Sequence, residues 1–484
     1  MLVYLGVDIG TTNVKALAVL PDSMQIVAHA SAPLDTLNPQ PSRAEQNPAD
    51  LWAAFVSVMR EVCREVAEKN HTIASVSFSA AMHSLMALDK ADNPLTNTVL
   101  WADNRAETEA DTLRQQPLVA RDLYMETGIP MHPMLPLCKL MFWQRTEPEL
   151  MARTAKFVSI KEFLWYRLTG EFAVDYSIAN ATGLFDATRL RWSSQALQVA
   201  GIRADQLSEP VPTTHKQPYR PGPDNIGLPD KTPLLIGASD GCLANLGAGA
   251  IGAGITTITI GTSGAVRQTV GQPLRDEHGR LFCYLLDEGY YVMGGPTNNG
   301  ANVLQWLSEN LTRQRTSAVL SEAATAPPGA DGLLFLPYLL GERAPLWNAH
   351  VRGSYLNVGG QHARAHFCRA ALEGVLFNLL TINQLLDRKT VPTRVIHANG
   401  GFAQSAFWVQ MLADIAGVPV RLNASNESGA IGAILLNMKA DGVVKSLAEA
   451  AGRVVFGPTF LPDSGRHEIY QTTFAKFRQA IGLV

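Results

Sequence analysis

The feature that most restricts how this chain can fold is a short hairpin that occurs twice. Leu2 to Val7 is apolar and partly β-branched, the pattern of a buried strand. It runs on through Gly6-Val7-Asp8-Ile9-Gly10-Thr11-Thr12-Asn13-Val14-Lys15, where a turn of Gly10, two threonines and an asparagine interrupts the apolar pattern until it resumes from Val14 to Leu20. The tip carries hydroxyls, backbone N–H groups and, at Asp8, one carboxylate. These are the groups needed to hold a phosphate and face a divalent cation. The pattern returns at Ile255, with a β-branched strand to Ile260, the turn Gly261-Thr262-Ser263-Gly264 and a partner strand from Ala265 to Thr269. One such hairpin is equally an ordinary Gly-rich turn with a surface Asp. Two, one near the start of each half, predict a structural duplication in which each tip clasps phosphate from its own side of a cleft.

A chain of 484 residues exceeds what one hydrophobic core usually serves and predicts two or three domains. With a formal net charge of −3 and no block of like charges, it has no bulk attraction for nucleic acid or an anionic membrane. Any anionic ligand must therefore be held by local groups. The N-terminus enters a strand directly and no run of about 18 apolar residues is evident, so the expectation is a soluble, cytoplasmic protein without signal peptide or membrane span. Cys63, Cys138, Cys242, Cys283 and Cys368 are odd in number and never spaced as C-x-x-C, which predicts reduced core residues.

Taken in order, Gln25 to Ala30 adds a third strand to the first hairpin. Asn47 caps a helix from Pro48 to about Lys69, with Leu51, Trp52, Phe55, Val58, Met59 and Val62 on one face. Ile73 to Ser79 is a strand leading into Ala80-Ala81-Met82-His83-Ser84, and a second polar cluster, Ala102-Asp103-Asn104-Arg105, follows Trp101. Strand ends of this kind suit a polar ligand. Residues 120 to 200 read as a helical insertion walling a cleft. Leu234 to Gly237 is a strand ending at Ala238-Ser239-Asp240-Gly241, and the small residues from Cys242 to Gly254 predict a closely packed helix and a hinge. In the second half, Gly294 to Gly300 precedes a helix from Ala301 to Leu311, and a long helix covers Ala363 to about Leu386. The strand Arg394 to Ala398 then ends in Asn399-Gly400-Gly401-Phe402-Ala403-Gln404-Ser405, a turn that lets a nucleotide approach the backbone.

The D-x-G-T-T turn is similar to the phosphate clamp of the actin, hexokinase and Hsp70 class. The chain as a whole resembles the FGGY family of carbohydrate kinases. One family signature appears as Met134-Leu135-Pro136-Leu137-Cys138-Lys139-Leu140-Met141-Phe142-Trp143, where the family usually has its tryptophan one place earlier, at Phe142. The other runs from Gly353 to His366-Phe367-Cys368-Arg369-Ala370-Ala371-Leu372-Glu373-Gly374, with Asn357 where glycine is more usual. Met82-His83 stands where glycerol kinases carry an Arg-Glu pair. Ser77 to Ser84, Trp101 to Arg105, Pro130 to Met134 and Gly341 to Asn348 are similar to the gluconokinase branch most of all, with xylulokinases the close rival.

The resemblance implies an α/β fold of two actin-like (ribonuclease H-like) ATPase domains, 1–246 and 247–484, with an interdomain cleft that closes on ATP and sugar. It implies ATP and Mg²⁺ as cofactors and a small sugar or sugar acid as partner, with neither nucleic acid nor membrane; dimers are common among such relatives, so a homodimer is compatible. Asp240 takes the place of the family's catalytic base, though an Asp before a helix is also an ordinary N-cap. Asp8 would act on Mg²⁺ through water. Thr11, Thr12 and Asn13 would hold phosphate from the first domain and Gly261, Thr262 and Ser263 from the second, with Gly300, Ala301, Gly400, Gly401 and Ser405 lining the nucleotide. His83, Asp103 and Arg105, together with Met82, Trp101 and Lys161, are the expected sugar contacts. Arg105 would pair with a substrate carboxylate, although Glu107, Glu109 and Asp111 beside it also fit a solvated helix. His132 and His215 receive no role. The reaction implied is phosphorylation of the terminal hydroxyl of gluconate. A neutral ketose such as xylulose, an actin-like ATPase without sugar chemistry and a catalytically silent sugar sensor are the alternatives.

Overall fold

The computed structural model describes residues 1–482. Its first half is built on a six-stranded sheet of β1 (Leu2–Ile9), β2 (Asn13–Val19), β3 (Ile26–Pro33), β4 (Thr72–Ala80), β5 (Lys216–Pro218) and β6 (Pro233–Ser239), in the spatial order 5-6-4-1-2-3. The second half carries a seven-stranded sheet of β7 (Ile255–Ile260), β8 (Gly264–Val270), β9 (Phe282–Asp287), β10 (Tyr290–Thr297), β11 (Val395–Asn399), β12 (Val420–Asn423) and β13 (Phe456–Phe460), in the order 9-10-8-7-11-12-13.

The duplication expected from the two hairpins extends through both sheets. In each, a central strand pairs antiparallel with its hairpin partner on one side (β1 with β2, β7 with β8) and parallel with a later strand on the other (β1 with β4, β7 with β11). The next strand out is antiparallel on the hairpin side (β3, β10) and parallel on the far side (β6, β12). This mixed order is that of two actin-like ATPase domains. Parallel neighbours need a crossover, and helices supply it.

Helix α1 (Pro48–Glu68) connects β3 to β4 in the first half, its Asn47 side chain accepting the Ala49 N–H at 2.8 Å as an N-cap. Leu51, Phe55, Val58, Met59 and Val62 are buried against the sheet as their helical spacing predicts, whereas Trp52, on the edge of that face, is half-buried and donates its indole N–H to Asp224 at 2.7 Å. Each of the buried side chains contributes roughly 1.5–3 kcal/mol by leaving water. Between 117 and 200 the chain forms helices such as α2 (Pro136–Thr146) and two-stranded ribbons, and adds no strand to the large sheet. After β6 comes α3 (Asp240–Gly247); α4 (Ala301–Trp306) follows β10, and α5 (Arg364–Asp387) precedes β11 as the counterpart of α1. The helix expected to reach Leu311 thus stops at Trp306, and the chain continues as a π-helix from Leu307 to Thr312. By length and composition α5 could cross a bilayer, but 83% of its most apolar window is buried, which makes it a core helix. All five cysteines are free and buried.

The two halves are joined through α6 (Ser428–Ala440). It belongs to the second half by sequence, yet Ala430, Ala433, Ile434 and Leu435 share a buried cluster with Leu243 and Leu246 of α3 and with residues of the first half. Small residues permit this. A Cβ on Gly432 would lie 1.9 Å from the Leu243 carbonyl oxygen, so the backbones of α3 and α6 touch directly. The Gly/Ala-rich stretch after Asp240 is thus a tight helix crossing between the halves.

Candidate active site

Both hairpin tips are held by backbone bonds that leave their side chains to the cleft. In the first, Gly10 N–H donates to the Asn13 carbonyl at 3.0 Å, while the carbonyls of Thr11 and Thr12 accept from Gln46 Nε2 at 2.6 Å and Leu34 N–H at 2.8 Å. In the second, Gly261 N–H donates to the Ser263 carbonyl at 2.9 Å. The N-terminus of α4 buttresses this tip: Ala301 N–H donates to the Gly261 carbonyl at 2.7 Å, and the N–H groups of Gly300 and Asn302 donate to the Thr262 carbonyl at 3.2 and 3.3 Å.

Two carboxylates stand between the tips. Asp8 accepts from the Ser79 hydroxyl at 2.6 Å and lies against the start of α6, where a Cβ on Gly429 would come within 2.8 Å of its Oδ2. Burial raises its pKa, an effect offset by the Ser79 hydrogen bond and the Lys15 charge; Glu427, paired with Lys15 at 3.0 Å, pushes it up again. Asp240 is the first residue of α3 and accepts the Gly241 N–H at 2.7 Å. Burial and then the nearby Asp8 charge push its pKa up to about 6, against the Gly241 N–H, the Arg267 guanidinium and the Met82 N–H.

A cavity of about 320 Å³ joins these groups, with Thr11, Asp240, Thr262, Ser263, Met82, His83 and Trp101 in its wall. His83 has a left-handed backbone (φ 64°) and lies 7% exposed. Its Nδ1 donates to the Ala181 carbonyl at 2.7 Å, which requires Nε2 to be the acceptor of the Tyr284 hydroxyl at 3.1 Å. Burial and the Lys139 charge hold its pKa down at about 3, so the ring is neutral at physiological pH. Lys139, on α2, fastens this loop to the next. Its ammonium is fully buried and donates to the carbonyls of His83 and Leu100, each at 2.7 Å, and burial drives its pKa down to about 7.

Sequence profiles for the FGGY family of carbohydrate kinases match residues 3–247 (N-terminal domain) and 256–440 (C-terminal domain). The chain belongs to the FGGY family of carbohydrate kinases. It is 41% identical over 457 residues to the gluconokinase of Bacillus subtilis, covering 91% of this chain and 88% of that protein. It is 30% identical over 482 residues to the xylulose kinase of the same organism, covering 98% and 95%. Among solved structures, the gluconate kinase from Lactobacillus acidophilus superposes with a TM-score of 0.95 at 32% identity, covering 99% of this chain and 98% of that one. The ligand-bound xylulose kinase from that organism gives the same score and identity over 100% and 99%.

As an FGGY carbohydrate kinase, the chain places its expected site residues in three groups. Thr11, Gly261, Thr262, Ser263, Met82, His83, Trp101 and Asp240 line one cavity. Asp8 lies outside that wall, though its charge acts on Asp240 and raises its pKa, and Thr12 and Asn13 are on the same tip. The turn at Gly400 and Gly401 abuts the second hairpin: a Cβ on Gly400 (φ 98°) would lie 2.4 Å from the Ile260 carbonyl oxygen, whereas one on Gly401 would meet open space. Ser405 caps the following helix through Trp408 N–H at 3.3 Å, and Gly300 and Ala301 spend their N–H groups on the hairpin tip.

Arg105, Asp103 and Lys161 are absent from the cavity wall, and their side chains are engaged elsewhere. The Arg105 guanidinium donates to both Asp103 oxygens at 2.7 and 2.8 Å and pairs with Glu45, while Asp103 also accepts the Ala44 N–H at 2.7 Å. Arg105 is neither a solvated helix residue nor available to a substrate carboxylate. It ties the 100s loop to residues 44 and 45. Lys161 likewise pairs with the fully buried Asp175 at 2.8 Å and donates to the Ala238 carbonyl at 3.0 Å, bracing the strand that delivers Asp240.

Three ionisable cavity residues are not singled out by the sequence reading: Tyr284 on β9, Arg267 on β8 and Arg343. A charged residue inside the otherwise uncharged strand Gly264–Val270 is the signal available for Arg267. Arg343 lies in Gly341-Glu342-Arg343, which in the sequence carries only a family likeness. Its neighbour Glu342 accepts from Thr297, Asn299, Asn378 and two backbone N–H groups, a buried network that fixes this loop on α5.

Proposed function

We propose that this carbohydrate kinase transfers the γ-phosphoryl group of ATP to the terminal hydroxyl of an open-chain sugar acid, converting D-gluconate to 6-phospho-D-gluconate. The observation that carries the reading is the single cavity in which Asp240 stands between two phosphate-type hairpin tips and the pair His83 and Trp101. The extensive identity to gluconokinases favours gluconate. The equal structural likeness to a xylulose kinase makes D-xylulose the second reading.

In the proposed reaction the substrate oxygen forms a bond to the γ-phosphorus as the bond to the β–γ bridging oxygen breaks. The hydroxyl proton passes to Asp240, and ADP leaves with the electron pair. Phosphoryl transfer has a loose transition state, so alignment and charge neutralisation dominate catalysis. Asp240, with its pKa held at about 6, is ionised at neutral pH and basic enough to receive a late-leaving proton. The hydroxyls of Thr11, Thr12, Thr262 and Ser263 would orient the phosphates from two sides, and the open face of Gly401 offers room for the nucleoside. Among the described residues no group of three or more metal-binding side chains occurs. Asp8 would be the protein's contribution to holding Mg²⁺, through water, since that ion gives up its hydration shell reluctantly. Mg²⁺ would supply neutralisation of phosphate charge. Closure of the cleft would exclude water, a competing acceptor. Dependence on Mg·ATP fits a cytoplasmic enzyme.

ADP release with Mg·ATP, measured side by side with gluconate, xylulose, ribulose and glycerol, tests the reading. A strong preference for gluconate is expected. Preference for xylulose transfers the proposal to the ketose, and ADP release indifferent to every sugar removes the kinase reading.

A further inference from the structure

We infer that Arg343 is the receptor for the substrate's carboxylate and sets the enzyme's preference for an acid over a neutral polyol; this rests on the sugar-acid reading above. The cavity wall holds two guanidinium groups, Arg267 and Arg343, against one carboxylate, Asp240. Its remaining ionisable side chains, His83 and Tyr284, are neutral at physiological pH because burial lowers the first pKa and raises the second. The wall therefore has an excess of positive charge, part of which, beside Asp240, serves the phosphates held by the hairpin tips.

The two arginines are not equivalent. Arg267 and Asp240 interact with each other, which places the Arg267 charge at the reacting end, beside the nucleophile's base. Arg343 feels Glu342, Tyr284 and Arg267, while Asp240 is not among the charges acting on it. Its guanidinium lies over the Trp101 ring at 5.2 Å. An extended six-carbon acid presents its carboxylate at the opposite end from its terminal hydroxyl, so the arginine away from Asp240 is the one the carboxylate meets.

Both arginines are incompletely bonded among the described residues: Arg267 reaches only the Thr259 hydroxyl, at 3.5 Å, beside Asp240, and Arg343 is the one left without a carboxylate of its own at the far end. It is 8% exposed, yet among the described residues no carboxylate lies within ion-pair distance of it. One Nη2 hydrogen bond goes to the Thr297 carbonyl at 3.0 Å, and the buried Nε has no partner. Glu342, adjacent in sequence, is saturated by the hydroxyl, amide and backbone donors described above. A buried guanidinium without a carboxylate in direct contact is costly, and burial lowers its pKa to about 10 although the Glu342 charge opposes this. A ligand carboxylate supplies the missing contact ion pair and the missing acceptor, in the forked geometry that arginine favours. Arg105, the arginine nearest this role by sequence, already has two carboxylates.

The test is equilibrium binding of D-gluconate and of D-glucitol, the same carbon chain with an alcohol in place of the acid, to wild-type protein and to the Arg343→Met, Arg343→Lys and Arg267→Met variants, with kcat/KM for both ligands. A charge-assisted bond of this kind corresponds to about 10- to 100-fold in affinity. Arg343→Met is expected to lose that factor for gluconate while binding of glucitol changes far less. Arg343→Lys should recover part of it, and Arg267→Met should lower kcat without erasing the acid-over-polyol ratio. Thermal unfolding provides the folding check: removal of an unpaired buried charge should leave the midpoint at or above that of wild type. Equal losses for both ligands in Arg343→Met, a lowered midpoint in that methionine variant, or an acid-over-polyol ratio that collapses in Arg267→Met would each overturn the assignment. If the wild-type enzyme ignores gluconate and phosphorylates xylulose, the sugar-acid reading fails first and takes this inference with it, whatever the variants do.

Discussion

The two hairpins share a backbone and carry opposite chemistry. Each central strand ends in Ile-Gly and turns through hydroxyl residues, but two places before the glycine the first has Asp8 and the second Thr259. Around Asp8 lie Ser79, Lys15 and the N-terminus of α6. The partner strand of the second hairpin instead carries Arg267, which reaches Thr259 at 3.5 Å and acts on Asp240. In the proposed function, one repeat would thus supply the acidic side of a phosphate site and the other the basic side. A duplicated scaffold provides two equivalent clamps; the chemistry comes from single side chains that differ between the copies.

The comparison can be broken most severely at the carboxylate between the tips. Asp240→Asn keeps the size and the Gly241 contact but cannot take a proton. A loss of about 10²–10⁴-fold in kcat is expected, with ADP affinity by calorimetry unchanged; equal loss of nucleotide binding would make Asp240 structural. Next is Asp8→Asn, which removes the charge that distinguishes the first hairpin. It should lower activity by roughly 10-fold or more at limiting Mg²⁺ and be partly relieved by excess Mg²⁺ in a titration. A defect independent of Mg²⁺ would assign the acidic side of the site elsewhere.

Gly261→Val probes the second tip. A Cβ there meets nothing nearer than the Ser263 carbonyl oxygen at 3.9 Å, so the fold should survive while the branched side chain crowds the phosphates. About a 10-fold rise in KM for ATP is expected from that displacement, and an unchanged KM would remove this tip from the site. The smallest effect concerns pH. The proposed base, Asp240, must be ionised to act, so kcat/KM should fall as pH drops through about 6. Arg267 favours the ionised form, and Arg267→Met should therefore move the acid limb to higher pH. A limb that stays in place, read from full pH profiles of both proteins, would uncouple the basic side from the base.

Local patterns are legible in the chain itself. The helix Pro48–Glu68 follows from its apolar spacing and the Asn47 cap, and the hairpins from β-branched runs broken by glycine and threonine. Asp240 stands out because a strand end, a small-residue helix and a family position coincide at one place. Arg105 shows where such reading stops. Nothing near it in sequence announces that Glu45 and Asp103 will consume its donors. Lys161 fails in the same way, paired with Asp175 under the strand that delivers Asp240. The end of α4 is equally illegible, since apolar spacing continues past Trp306 while the backbone widens into a π-helix through Thr312.

The sequence by itself determined the duplicated hairpins, the strands and helices around them, and the carboxylates Asp8 and Asp240, because these depend on residues within a few positions of one another. Tertiary structure alone decided which polar side chains are left over for a ligand. A charge is free or spent according to partners that the fold brings from distant segments, and an arginine buried at Asp103 and one buried at Trp101 look alike until those partners are counted.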